Sequence, residues 1–376
     1  MNKLKKTDRI AAFLLSAIVL SLAILLITLP KNDFSENENR SLAEKPALTL
    51  QTLSDGSFMT GLSDYLIDHF PFRDFFVGLC TRAKLFCGYR EINGIYLASD
   101  GSLIDRYELP ENDARFVKSV TSMAGKTDVP VTLMLVPTAV TVYPEKLPAN
   151  TPASAQKAVI DDLYAQITAA CPNCTAVDVL SELSAYKSEP LFYRTDHHWT
   201  TMGAYIGYLA YCKTLGLEPL PLSDYNSETV SGFYGTLYSR FGDYSIAPDS
   251  MTLYTLPEQR LTVTYGDTGE VSDSLYNRDY LEKRDKYSCF LNNLHDLITI
   301  ENPDALSDDT LLVVKDSYAN SLLPFLAAHY RTIYVIDPRY WRTGVSSFAA
   351  EHEVSSILVL YNLGTLDEDA GVGAIY

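Results

Sequence analysis

Basic residues are scarce in this chain: 30 Lys and Arg stand against 47 Asp and Glu, a formal charge of −17. A phosphate backbone rewards basic surfaces, so nucleic acid is excluded as a partner, and a surface that grips anionic lipid fits poorly. Cysteine is scarce too. Six in 376 residues do not make a disulfide scaffold. Cys171 and Cys174 form a C-x-x-C pair, yet no second C-x-x-C or C-x-x-H completes a zinc site, and the pair ends a helical stretch where a redox motif would open one. A local disulfide or two buried thiols is the plainer reading. The letters Asp-His-His at 196–198 would suit a metal-dependent phosphoesterase, but such a site needs several further Asp or His ligands. With only six histidines and no Asp-x-Asp pair on a strand edge, this reading ranks last. The expectation is a protein with no metal and no cofactor. What the chain does have is the apolar and aromatic content of a sequence that folds.

Its N-terminus carries the longest apolar run. Lys3, Lys5, Lys6 and Arg9 precede an uncharged stretch from Ile10 to Leu29, interrupted by Ser16, Ser21 and Thr28. Twenty helical residues rise about 30 Å, enough to cross a hydrocarbon core. The run exceeds a usual signal-peptide h-region, and no small-x-small cleavage site follows it. The basic flank stays inside by the positive-inside rule. This predicts a cytoplasmic tail over 1–9, a transmembrane signal anchor over 10–29, a polar linker over 30–50 and an extracytoplasmic domain over 51–376. The protein is then a single-pass protein of the cell membrane.

Beyond the linker, apolar spacing predicts helices through Ser54–Tyr89, with Pro71 opening the second. A hairpin over Ile92–Ile104 turns at Ser99-Asp100-Gly101. Buried strands are expected at Val129–Val136, Thr310–Val314, Thr332–Ile336 and Ser356–Leu360. Helices are expected at Ala153–Ala170, Thr200–Leu215, Tyr318–His329 and Gly344–Glu351. Alternating strands and helices imply a parallel, doubly wound sheet. Residues 216–309 break the alternation and read as an insertion, with a hairpin around Gly266–Gly269.

Two places carry chemistry. Asp196-His197-His198-Trp199 precedes a helix, and a carboxylate beside an imidazole fixes its tautomer and stabilises its cation. The bland alternative is a helix cap with a packed histidine. Lys315-Asp316-Ser317-Tyr318 follows a buried strand, so Ser317 stands at the carboxyl edge of the sheet, where open α/β folds place their sites. There its own N–H and a helix dipole face a developing oxyanion. Taken alone, this is a cap as well. Gly242-Asp243-Tyr244-Ser245 has no strand before it and reads as a turn.

The anchor, Glu38-Asn39-Arg40-Ser41-Leu42-Ala43, His69-Phe70-Pro71-Phe72-Arg73 and Thr195-Asp196-His197-His198-Trp199 together resemble the DHHW protein family. That family is similar to the SGNH-hydrolase-like domains of the alginate O-acetylation proteins AlgJ and AlgX. The resemblance implies an α/β fold: a three-layer, flavodoxin-like parallel sheet, circularly permuted, with a β-rich insertion. It further implies Ser317 as nucleophile, His198 as base and Asp196 as orienting acid. Asn362, after the last strand, falls at the position of an oxyanion donor, although Asn is also a common turn residue. His197 and Trp199 are the remaining candidates for substrate contact. Lys315 departs from the Gly that relatives often carry, and Asn362 lacks their following Asp.

The activity implied is O-acyl transfer, O-acetylation of a cell-surface polysaccharide through an acyl-enzyme. A polytopic membrane O-acyltransferase would supply the acetyl group. An esterase of the same fold is the alternative, and a non-catalytic scaffold that binds glycan or the membrane acyltransferase is another. Lys315 is the best support for the scaffold.

Overall fold

A polar side chain inside an apolar helix must satisfy itself when no water is near. In helix α1 (Lys6–Thr28), Ser21 Oγ donates to Ala17 O at 2.8 Å and Thr28 Oγ1 to Ile24 O at 2.9 Å, each one turn back. α1 is long and apolar enough to span a membrane, which fits a single-pass anchor or a signal sequence. The computed structural model describes residues 6–110, 113–366 and 369–376; Lys3 and Lys5 of the basic flank lie outside the described residues. Contacts divide the chain into two compact units, Met1–Tyr89 with Tyr238–Ile246, and Arg90–Leu237 with Ala247–Tyr376.

The first unit holds α1, a short helical turn at Leu50–Ser54 and two longer helices, α2 (Ser57–Asp68) and α3 (Arg73–Phe86). They are separated at Pro71, as its missing N–H and fixed φ demand. Thr81 Oγ1 donates to Phe241 O at 3.4 Å, and Arg82 pairs with Asp243 at 3.1 Å. These contacts tie the short 238–246 segment to α3.

The second unit is built on an eight-stranded sheet. Its strands are β1 (Val131–Val136), β2 (Cys174–Ala176), β3 (Thr262–Tyr265), β4 (Val271–Ser272), β5 (Leu297–Glu301), β6 (Thr310–Lys315), β7 (Thr332–Ile336) and β8 (Ser356–Asn362). The spatial order is β4-β3-β5-β7-β6-β8-β1-β2. The block from β7 to β2 is parallel. Side chains alternate across a strand, so successive residues enter opposite layers. Leu311 and Val313 of β6 join Leu358 and Leu360 of β8 in one apolar cluster, with Ile206, Tyr208 and Tyr211 of helix α6 (Thr201–Leu215). Leu312, Val314, Ile357 and Val359 join the other. There they meet Phe116, Val120 and Met123 of α4 (Asp113–Ala124) and Ile160, Leu163 and Ile167 of α5 (Gln156–Ala170). This is the three-layer arrangement expected. The serine-bearing strand lies mid-sheet although it follows the histidine motif in the chain, as the permuted order requires.

Residues 216–309, read as a β-rich insertion, supply flanking strands of the main sheet. β3 and β5 extend the main sheet antiparallel from β7, with Leu297 opposite Ile336 and Glu301 opposite Thr332. β5 buries alternate residues only, as an antiparallel flank does, and five residues are too few to signal it. The helix expected over Tyr318–His329 is a 3₁₀ turn, Ser317–Ser321, then a four-residue helix, Leu323–Leu326, interrupted by Pro324. The dipole available behind Ser317 is correspondingly small.

Candidate active site

The histidine motif occupies an irregular loop, and its backbone groups are satisfied by a neighbouring carboxylate. Asp249 accepts from Arg194 N at 3.0 Å, from Thr195 N at 2.8 Å and from Thr195 Oγ1 at 2.6 Å. Asp196 is then seated from both sides. Its Oδ1 accepts from His198 N at 2.9 Å and lies 2.6 Å from His198 Nδ1, while Oδ2 accepts from Thr236 N at 2.8 Å and Thr236 Oγ1 at 3.2 Å. Gly235 makes that seat: a Cβ there would stand 2.1 Å from Asp196 Cβ. Burial works against the Asp196 anion, but the two imidazoles and the hydrogen bonds from His198 outweigh it and hold the carboxyl well below the usual range.

An ionised Asp196 at Nδ1 leaves Nε2 of His198 as an acceptor. Nε2 lies 2.8 Å from Ser317 Oγ. Ser317 is half-buried at the end of β6, with Asp316 capping the turn by accepting from Tyr318 N at 2.9 Å. Two aromatic residues lace the motifs together. Trp199 Nε1 donates to Tyr318 O at 2.9 Å, and the Tyr318 hydroxyl donates to His197 O. Ser317, His198 and Asp196 are therefore brought into one hydrogen-bonded chain with nucleophile–base–acid geometry.

The other three candidates fare differently. Trp199 is fully buried, with Gly203 and Gly207 of α6 giving its ring room, so it packs and does not reach a substrate. His197 stays partly open. Its Nδ1 lies 2.8 Å from Thr236 Oγ1, and burial, then the adjacent His198, lower its pKa. The Asn362 amide, expected as an oxyanion donor, is engaged elsewhere in this arrangement. Its Nδ2 spends one hydrogen on Asp316 Oδ2 and the other on Thr365 Oγ1, both at 2.6 Å, and its backbone N donates to the same Asp316 oxygen at 2.7 Å. Asn362 braces Asp316. Burial raises the Asp316 pKa, against the hydrogen bonds from Asn362, Tyr318 and Thr365.

Lys315 is buried with its ammonium 3.6 Å from Asp337, which Arg339 also grips at 2.6 Å. Burial lowers its pKa and Asp337 opposes this. The departure from Gly is thus absorbed in an internal ion cluster. Asp196, His197 and His198 also offer ligand atoms within 4.8 Å of one another. Both nitrogens of His198 are already engaged in the hydrogen-bonded chain.

Two residues escaped sequence reasoning. Tyr287 stacks on the His198 ring at 3.8 Å and 13°, and its hydroxyl donates to Ser317 O at 3.0 Å. It lies 30 residues before Ser317 on a short 3₁₀ turn, Lys286–Cys289, and no pattern marks it. Asn320 sits three residues after Ser317 on the 3₁₀ turn, where i and i+3 side chains eclipse. It is buried with Oδ1 unpartnered among the described residues. The spacing from Ser317 was a readable signal.

A model of the DHHW protein family matches residues 92–336, more than half of the sequence. The chain belongs to the DHHW protein family. A DHHW family protein from Eubacterium siraeum superposes with a TM-score of 0.65 at 26% identity, over 76% of this chain and 95% of that one. PatB1 of Bacillus cereus, solved with a sulfonyl adduct, gives 0.60 at 19% identity over 75% and 98%, a likeness of fold. A probable alginate O-acetylase AlgJ from Pseudomonas syringae pv. tomato is 29% identical over 165 residues, spanning 41% of this DHHW protein and 41% of that relative.

Proposed function

We propose that this DHHW protein is an extracytoplasmic O-acyltransferase, with Ser317 as nucleophile, His198 as base and Asp196 as orienting acid. The observation that carries the reading is the unbroken path from Asp196 through His198 to Ser317, at 2.6 and 2.8 Å. His198 takes the Ser317 proton as Oγ attacks an ester carbonyl, and the resulting imidazolium is stabilised by the buried Asp196 anion. The oxyanion is received by Ser317 N–H, an orphan donor at the start of its turn, and by the Asn320 amide. Collapse expels the donor's alcohol, which takes the proton from His198, and leaves an acyl-serine. An acceptor hydroxyl deprotonated by His198 then attacks the acyl carbon, and collapse frees Ser317 Oγ, which recovers that proton.

O-acetyl transfer to a cell-surface polysaccharide is the preferred form of this reaction, on the likeness to AlgJ. A membrane-bound acyltransferase is the corresponding acetyl donor. An esterase differs only in using water as the acceptor. The anchor keeps the N-terminus inside and the second unit outside, in keeping with the basic residues Lys6 and Arg9 before the span. Purified protein should be labelled covalently at Ser317 by a fluorophosphonate and should release acetate from an aryl ester. A folded protein that resists the label and turns over no ester would leave the scaffold reading in its place. Acetylated oligosaccharide formed from that ester separates transfer from hydrolysis.

A further inference from the structure

The corner between α2 and α3 combines features that water does not reward. Phe70, Phe72 and Phe75 are 40%, 61% and 65% exposed. Phe72 also adopts φ 58°, a left-handed conformation that costs a bulky residue energy and that Gly or Asn would adopt more easily. A strained backbone that lifts an aromatic ring into solvent suggests that solvent is not its surroundings.

The location says what is. A cleft of about 510 Å³ is lined by Leu29 and Pro30, where α1 ends, and by Phe70, Phe72 and Phe75. The corner is clamped there. Arg40 pairs with Asp68 at 2.5 Å, Arg73 with Glu38 at 2.5 Å, and Asn37 Nδ2 donates to Asp74 at 2.6 Å. Asp68 also accepts from Ala43 N at 2.9 Å. The segment after the span is therefore held against the corner and is no slack tether. We propose that Phe70, Phe72 and Phe75 form an aromatic collar seated in the boundary between headgroups and acyl chains, beside the point where α1 leaves the bilayer. The collar rests on the reading of α1 as a membrane span. Its attraction is apolar, since the chain is strongly acidic, and rings at the interface fix how an anchored body leaves the membrane.

The test uses full-length protein in lipid nanodiscs, with Phe72→Trp and Phe75→Trp made separately and emission of the parent subtracted. The parent's tryptophans, Trp199 and Trp341, belong to the second unit. Each added indole is expected to emit to the blue of a water-exposed one, and to lose most of its emission when the lipid carries bromine on its acyl chains. Water-like, unquenched emission from both variants in a chain retained by the disc would overturn the collar and leave a protein partner as the cover. Failure of the anchor reading looks different: the chain would not be retained by the disc at all. Phe72 and Phe75 lie outside the triad, so ester turnover should stay at the parent level, and its loss with unquenched emission would count against the collar.

Discussion

The two units of this protein hold themselves together in opposite ways. The second is organised by its interior: Phe325, fully buried, has the rings of Tyr205, Tyr208, Tyr225 and Tyr254 within 5.8 Å, on one side of a sheet covered on both faces. In the first, no Leu, Ile, Val, Met, Phe or Tyr side chain among residues 6–89 is buried, and its buried rings, Tyr238 and Phe241, come from the 238–246 segment. Its visible organisation is a set of charged contacts between the linker and the α2–α3 corner. Burial of apolar surface dominates stability in water, whereas exposed ion pairs add little. A buried interior holds Asp196, His198 and Ser317 of the second unit in one hydrogen-bonded chain.

If chemistry belongs to the second unit, the largest effects fall there. Ser317→Ala, His198→Ala and the double variant should each lose ester turnover on the order of 10³-fold or more, since triad members act as a unit. Asp196→Asn should lose about as much or somewhat less, by disturbing the tautomer. His197→Ala should lose far less, and unchanged turnover in Ser317→Ala would end the enzyme reading. Asn320→Ala should lower kcat about 10²–10³-fold as a lost oxyanion donor. Asn362→Ala, by contrast, should act mainly on melting temperature, because its amide braces Asp316; a selective kcat loss in Asn362→Ala would restore it as the donor.

Stability should divide along the same line. Phe325→Ala should cost about 3–5 kcal/mol in the unfolding of the second unit. Phe75→Ala should change that transition by less than about 0.5 kcal/mol, and calorimetry of both variants compares the units directly. Chelator should leave ester turnover unchanged; loss on chelation with return on added metal would sink the triad chemistry. The smallest effect is expected in acid. The hydrogen bond from Arg40 holds the Asp68 carboxyl down to about 2, so the clamp contributes fully above the ordinary carboxylate range and fades as pH falls towards 2. Solvent around Arg40 keeps this below about 1 kcal/mol. Hydrogen exchange at Ala43, corrected for intrinsic rate, should report that loosening and no change in the sheet.

Much of this was legible in advance because the signals are local. The apolar run of α1, the β-branched strands β6 to β8 and the Pro71 break follow from neighbours in the chain. Asp196-His197-His198-Trp199 and Asp316-Ser317 announced themselves by residue type. Tyr287 did not, because stacking on an imidazole leaves no trace in spacing. Asn362 misled because a strand-end Asn looks the same whether its amide faces a substrate or a buried carboxylate. Residues 216–309 stood out only as a break in the alternation, because short strands that join a sheet at its antiparallel flank lack a continuous apolar run.

The sequence by itself determined an apolar N-terminal helix long enough to span a membrane, the parallel sheet and the residue types of the candidate site, since these depend on hydropathy, period and side-chain type. Only the tertiary structure decided which histidine faces Ser317, what seats Asp196, that Lys315 pairs with Asp337 and that the Asn362 amide is already occupied. The chain separates His198 from Ser317 by 119 positions, and distances across such a gap are set by how the layers pack.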